Sequence, residues 1–277
     1  MLAAALMDPF KDRVAVITGG AGGIGMAMAR AFAERGAAIV LADLDEAALA
    51  KSVDELKGGG AKALGVATDV TKLESVQALA AATQRQFGGV HIVCNNAGIG
   101  VFGDMHRATH RDWQYTMNVN FWGVVHGIEA FVPLLLEQGQ GGHIVNTASM
   151  AGLVGMRWLG IYCASKFAVV GATESLHREL VPLGIGVSVL CPMIVDTAIN
   201  ENSARMRPTD LRNAEESPVL PAAASMSGGV IAAPEVARRV VRGIERGDLY
   251  ILTHPEQREF LRRRAAKLDS MFEEGTW

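Results

Sequence analysis

Cysteine is scarce in this chain: only Cys94, Cys163 and Cys191 occur, with no CxxC pair among them. That spacing excludes a disulfide scaffold and argues for a reduced, cytoplasmic protein. Excess charge of one sign is lacking too. Lys and Arg number 26 against 29 Asp and Glu, a net charge of -3, so no polyanion-binding face is expected. The short basic cluster of Arg262, Arg263, Arg264 and Lys267 reads as the solvated face of a terminal helix, and no nucleic-acid partner is expected from it. No apolar run approaches the length of a membrane span. The apolar start, Met1 to Leu6, is too short for a signal segment and is interrupted by Asp8 and Pro9, so no membrane partner is expected.

What is present is the composition of a packed α/β protein: 49% hydrophobic and 20% charged over 277 residues, enough for one core with a peripheral lobe. Short apolar, β-branched runs at 13–18, 37–42, 62–67, 90–94, 142–147, 186–190 and 249–252 alternate with amphipathic segments at 24–35, 46–57, 73–87, 112–137 and 162–181. That alternation predicts βαβ units, and right-handed crossovers then require a doubly wound parallel sheet. One stretch breaks the rhythm. Over 198–232, Pro208, Pro218, Pro221, Gly228 and Gly229 fall without a period, which reads as a lid over a site or as a disordered surface insertion.

The first strand runs into Thr18-Gly19-Gly20-Ala21-Gly22-Gly23-Ile24-Gly25, where the first helix begins. Gly19 permits the tight turn, Gly23 lets backbone amides approach a pyrophosphate, and Gly25 lets the helix pack closely on the sheet. Asp43 closes the second strand, where a carboxylate can accept both ribose hydroxyls of an adenosine and would repel a 2′-phosphate. Ala21, Gly22 and Leu44 supply no basic partner for such a phosphate, so NAD is expected rather than NADP. Asp43 is also a plausible strand-end turn residue or helix cap.

Tyr162 and Lys166 stand four apart in a helical segment and so share one face. Ser149 follows the strand at 142–147, at the carboxyl edge where open parallel sheets place their ligands. Moving hydride between a carbinol carbon and nicotinamide requires a proton to move at the oxygen, so an acid/base group must touch it. A tyrosine pKa of about 10 must fall by some three units to work near neutrality, a stabilisation of roughly 4 kcal/mol that a nearby ammonium such as Lys166 favours. The competing reading is a core tyrosine, a surface lysine and a strand-end serine cap.

With those residues in place the chain resembles the short-chain dehydrogenase/reductase family over roughly 11–252. Further motifs occur in the family's order: Asp69-Val70, Asn95-Asn96-Ala97-Gly98, Asn118-Val119-Asn120 and Tyr162-Cys163-Ala164-Ser165-Lys166. The resemblance implies a single Rossmann-fold domain with a seven-stranded parallel sheet over 11–254, between an N-terminal extension (1–10) and a helical tail (255–277). It implies a catalytic tetrad of Asn120, Ser149, Tyr162 and Lys166, with Asn120 anchoring a water that relays protons from Lys166. It implies cofactor contacts at Gly19, Gly23, Ile24, Gly25, Asp43, Leu44, Asp69, Val70, Asn96, Ala97, Gly98, Tyr162, Lys166, Pro192, Val195 and Thr197. Packing of the two long helices against a partner's copies implies a homodimer or homotetramer.

In one place the chain departs from that pattern. The usual Pro-Gly after the sixth strand is Pro192-Met193, and a side chain there disfavours positive φ. Ser149, Met150, Met156, Trp158, Tyr162 and Met193 are the candidate substrate-facing residues, with Leu153, Ile99 and Phe102 near them. Their apolar character favours a bulky, aromatic or alicyclic secondary alcohol or ketone, although several of them would serve equally as core. Arg205-Met206-Arg207-Pro208 and Tyr250 to Glu256 resemble bacterial members that oxidise benzylic alcohols of aryl ethers. His106 and His110 have i,i+4 spacing but no third ligand, so no metal is expected. The competing functions are an NADP-dependent carbonyl or 3-oxoacyl reductase, and a catalytically silent dinucleotide-binding module. A sugar-nucleotide epimerase would require a longer chain.

Overall fold

The structure is a computed structural model that describes residues 8–213 and 228–272. Its first strand, β1 (Val14–Thr18), is buried along its whole length. Ala15 and Ile17 point into a core with Phe32 and Ile244, whereas Val14 and Val16 point into a second core with Phe131 and Leu135. Burial on both faces is why the strands read as continuous apolar runs.

Strands and helices then alternate as α1 (Gly23–Glu34), β2 (Ala38–Asp43), α2 (Glu46–Gly58), β3 (Ala63–Ala67), α3 (Leu73–Phe87) and β4 (Ile92–Asn95). After a loop come α4 (His110–Met117), a π-helical turn (Asn118–Trp122), α5 (Gly123–Gln138), β5 (Gly142–Thr147), α6 (Gly160–Leu180) and β6 (Ile185–Cys191). The remaining elements are β7 (Val195–Asp196), α7 (Ile199–Arg205), β8 (Ile231–Ala232), α8 (Ala233–Arg246), β9 (Tyr250–Leu252) and α9 (Arg258–Asp269). The main sheet has seven strands in the order β3-β2-β1-β4-β5-β6-β9, and every pairing in it is parallel. β7 and β8 form a separate two-stranded pair.

Register explains where a ligand fits. Thr18 pairs with Ala42, Asp43 with Ala67, Asn95 with Asn146, and Thr147 with Leu190, so the carboxyl ends of these strands finish side by side. The chain reverses its direction of travel across the sheet between β1 and β4, which opens a crevice at that edge.

The long helix expected over 112–137 is interrupted. A Thr109/Asp112 capping box starts α4, and the π turn at 118–122 then carries the buried Asn120. Such widened turns cluster at functional sites because they re-aim side chains and backbone groups. Taken together, 110–138 is long and apolar enough to cross a membrane by length and composition, an 18-residue window within it reaching a mean hydropathy of 1.5, although no unbroken apolar run of that length occurs there. Its interspersed Asn120 and Asp112 hide that property from a search for an unbroken apolar run. Both are buried against protein groups, Asn120 on Ile99 and Ser165 and Asp112 on Arg207.

Within the stretch read as a lid, α7 and the turn Thr209–Leu211 lie over the crevice edge, while 214–227, including Pro218 and Pro221, lies outside the described residues. Phe10 is fully buried and its ring lies 4.9 Å from that of Phe32, so the chain is packed into the core from before β1. Arg262, Arg263, Arg264 and Lys267 are exposed on α9.

Candidate active site

The glycine turn fits a cradle for a dinucleotide. Gly19 has φ 61°, and a Cβ there would sit 2.9 Å from the Ala97 Cα. Gly23 has φ 51°, with a would-be Cβ 3.1 Å from the Thr197 methyl group, and a Cβ on Gly25 would come within 2.2 Å of the Gly19 carbonyl. Side chains are therefore excluded at all three positions by backbone conformation or by neighbouring atoms. The amino end of α1 faces the crevice with unpaired N–H groups, the arrangement that receives phosphate. Thr18 locks this turn to the next strand end: its hydroxyl accepts from Asn96 N and Ala97 N at 2.9 and 3.0 Å. Asn96 returns the brace, donating its amide to the Thr18 carbonyl at 3.0 Å.

Asp43 stands at the tip of β2 with its carboxylate already oriented. One oxygen accepts from Ala21 N at 3.0 Å and the other from Asp45 N at 3.1 Å. The turn-forming alternative is therefore real, and it coexists with a carboxylate that faces the cleft. Asp69 has a comparable local role, accepting from the Thr71 amide and hydroxyl at 3.0 and 2.7 Å.

Across the crevice, Lys166 and Tyr162 extend from one face of α6. The buried Lys166 ammonium donates to the Thr147 carbonyl at 2.9 Å and lies 5.6 Å from the Tyr162 ring centroid. Ser149 is the cap of a short turn, accepting from Ala151 N at 3.1 Å and donating to the Pro192 carbonyl at 3.2 Å. Its hydroxyl also shares a hydrogen bond with the Tyr162 phenol. Asn120 is fully buried: its oxygen accepts from Ile99 N at 2.8 Å, and its amide donates to Ile99 O and Ser165 Oγ at 3.0 and 3.1 Å. The Asn120 carboxamide therefore fastens the 96–99 turn to α6, and any water it anchors must rest on its backbone. A single cavity of about 500 Å³ runs from Asp43 past the glycine turn to Ser149, Tyr162 and Lys166.

This geometry can be set beside known proteins. The model of the short chain dehydrogenase family matches residues 13–208. This chain belongs to that family. A short-chain dehydrogenase/reductase from Burkholderia phymatum, solved in complex with NAD, is 41% identical and superposes with a TM-score of 0.90 over 96% of this chain and 98% of its own. The C alpha-dehydrogenase of Sphingobium sp. is 34% identical over 261 residues, covering 93% of this chain and 85% of its length. The 1-deoxy-11-beta-hydroxypentalenate dehydrogenase of Streptomyces exfoliatus is 41% identical over 189 residues, 68% of this chain and 69% of that one. The chain is thus an oxidoreductase of the dehydrogenase/reductase family, with a Rossmann-type single domain and a small-molecule substrate.

In this dehydrogenase/reductase, burial has a marked effect on the candidate catalytic groups. It pushes the Tyr162 phenol up to about 12, with the Ser149 hydrogen bond pulling the other way. It draws the Lys166 ammonium down to about 8. Within the protein the largest influence on both groups is loss of water, which favours their neutral forms.

Of the other residues singled out from the sequence, Ile24, Leu44, Val70, Gly98, Pro192, Val195 and Thr197 line the cavity. Met156 and Met193 line it as well, with Ile99 and Phe102. Met150 and Trp158 do not. Met150 starts the turn after Ser149 and points back into a core with Val169 and Val189, only 1% exposed. Trp158 takes φ 63°, and its indole lies under the Arg157 guanidinium at 4.3 Å, so Leu159 occupies the wall instead. Met193 needs no positive φ, and its amide donates to His254 Nδ1 at 3.3 Å. A histidine from beyond β9 thus holds the path that a glycine usually allows. His106 and His110 are both exposed.

Sequence reasoning assigned no site role to Thr18, Tyr115, Ser203 or Arg205. Thr18 carried a signal in its place immediately before the glycine turn. Tyr115 donates to the Ser203 carbonyl at 3.0 Å, and Ser203 accepts from Gly100 N at 2.8 Å, tying α7 to the cavity wall. Arg205 reaches the Asp43 end of the cleft, 2.9 Å from Asp45.

Proposed function

We propose that this dehydrogenase/reductase is an NAD-dependent enzyme that interconverts a bulky apolar, aromatic or alicyclic secondary alcohol and its ketone, with Tyr162 as acid/base. The observation that carries this reading is the convergence of Ser149, Tyr162 and Lys166 on one cavity whose other end is closed by Asp43. A nicotinamide dinucleotide bound along that cavity supplies or receives the hydride. The residues of the chain handle the oxygen and its proton. Ser149 holds the substrate oxygen by a hydrogen bond. Tyr162, protonated when the pocket is buried and uncharged, delivers its proton to a carbonyl oxygen in the reducing direction and recovers it through Lys166, whose pKa of about 8 lets it carry or release a proton near neutrality. Asn120 positions the 96–99 turn beside that pair, where a Cβ on Gly98 would meet the Asn120 oxygen at 3.4 Å and the Lys166 amine at 3.5 Å.

Apolar groups support the substrate class: Phe102, Met156, Leu159, Met193, Met206 and Leu211 line the same cavity as Tyr162. Such a wall binds by removing apolar surface from water, at about 25 cal/mol per Å², and offers a sugar or free acid few partners. An NADP-dependent carbonyl reductase is favoured by one observation, the Arg205 guanidinium at the ribose end; Asp45 neutralises it, and Asp43 adds a further carboxylate. Assembly as a homodimer or homotetramer through 110–138 and α6 belongs to the same reading. It is supported by the apolar character of that helix and by exposed Trp122 and Leu136 on one side of it. That use accounts for the apolar stretch without a bilayer. A reducing, cytoplasmic setting agrees with three buried, unpaired thiols. The test is a screen at 340 nm with NAD and NADP against aliphatic, alicyclic and aryl secondary alcohols. Turnover is expected with NAD and the aryl or alicyclic members, and silence across the panel with both cofactors would overturn the assignment.

A further inference from the structure

Two arginines, two residues apart, tie the segment after β7 to opposite banks of the cleft. Arg207 reaches Asp112 at the start of α4, 2.8 Å away, with both side chains nearly buried at 13% and 5% exposure. Asp112 is further held by Asn213, whose amide donates at 3.0 Å, and by the Thr109 amide at 2.8 Å. Arg205, the last residue of α7, reaches the other way. Its guanidinium lies 2.9 Å from the Asp45 carboxylate, with side chains 56% and 22% exposed. Asp45 is itself fixed, because it caps α2 by accepting from Ala48 N at 3.0 Å and donates its own amide to Asp43. Arg205 is braced by donation to the Asn202 side chain at 3.1 Å. Asp45 and Arg205 both line the cavity beside Asp43 and Leu44.

The strap formed by 199–207 therefore crosses the adenosine side of the cavity, pinned by a buried pair on one bank and by an exposed pair on the other. We propose that the Asp45–Arg205 ion pair is a clasp that closes this strap over the bound dinucleotide, making Arg205 and Asp45 positioning residues that set how long the cofactor stays. The buried Arg207–Asp112 pair is the fixed end, since separating it would strand a charge out of water. The exposed pair is the end that opens, because water and salt compete for both partners.

The inference rests on the dinucleotide reading, and one experiment separates the two. NADH binding and release are followed by fluorescence in stopped flow for wild type, Arg205→Gln, Asp45→Asn and the double variant. Asn caps a helix as well as Asp does, so α2 is kept. Each single change is expected to speed release by about three- to five-fold, the range of an exposed pair worth up to about 1 kcal/mol. The double variant should be no faster than the singles, and 0.5 M KCl should bring wild type toward them. In cofactor-free protein, amides of α7 should exchange faster in each variant than in wild type. If wild type binds NADH but none of the variants alters release, the clasp is overturned and the cofactor reading stands. Faster release with Arg205→Gln alone would mean that the arginine contacts the cofactor directly and would also overturn the clasp. Absence of NADH binding by wild type would remove both readings together.

Discussion

The two banks of the cleft are built from different materials. On the β1–β3 side the ligand meets backbone: a glycine turn at positive φ, the open end of α1, and one carboxylate, Asp43, held by two amides. On the α4–α6 side it meets side chains taken out of water, namely Lys166 on the Thr147 carbonyl, Asn120 on Ile99 and Ser165, and Ser149 on Pro192. The first bank can bind without straining the fold, because its donors are helix and turn amides that would be unpaired anyway. The second bank holds groups in states that water would not favour, which is the condition for acid/base chemistry and a burden on stability.

Lys166 offers the larger way to break that contrast. Its pKa of about 8 in the folded chain lies below its ordinary 10.5, so the native state holds fewer protons than the unfolded state between those values. Wild-type stability should therefore rise as pH climbs from about 8 to 10.5, and the full penalty of burying the ammonium is present below pH 8. Lys166→Met should remove it, raising stability at pH 7 by roughly 3 kcal/mol, a gain that fades as pH approaches 10.5. Urea midpoints at the two pH values check this, and a gain independent of pH would contradict it. Activity should be lost in the same variant. No such trade between stability and turnover is expected at the backbone-built bank.

A smaller effect sharpens the other side. Asp43→Ser with Leu44→Arg removes the carboxylate and adds a cation where a 2′-phosphate would lie. The ratio of kcat/KM for NAD over NADP should fall by about ten-fold, or about 1.4 kcal/mol, with little change in the pH profile. An unchanged ratio would show that Asp43 serves only its turn.

Much of this was legible in the residues themselves. The strands β1, β2, β4, β5 and β6 were readable because they are buried on both faces, and the glycine turn because Gly19, Gly23 and Gly25 tolerate no side chain. Tyr162 and Lys166 were readable as a pair because helical spacing puts four-apart residues on one face. Other features depend on contacts that sequence distance conceals. Arg205 meets Asp45 only because α7 folds across the cleft, and His254 meets Met193 only because β9 pairs with β6. Trp158 sits between Ser149 and Tyr162 in sequence, yet its left-handed backbone and Arg157 hold it off the wall. The π turn is hidden in Asn118–Trp122, whose composition suits an ordinary helix as well. The influence of burial on Tyr162 is likewise a property of packing, not of spacing.

The central claim is that Tyr162 handles the proton in a pocket whose cofactor grip lies elsewhere. Tyr162→Phe removes one oxygen atom and leaves the glycine turn and Asp43 intact, so the measurement pairs NAD binding by calorimetry with turnover at 340 nm. The account predicts binding within about two-fold of wild type and turnover lower by roughly 10³-fold, within the range expected for loss of a general acid/base. Turnover within ten-fold of wild type, with binding intact, would contradict it.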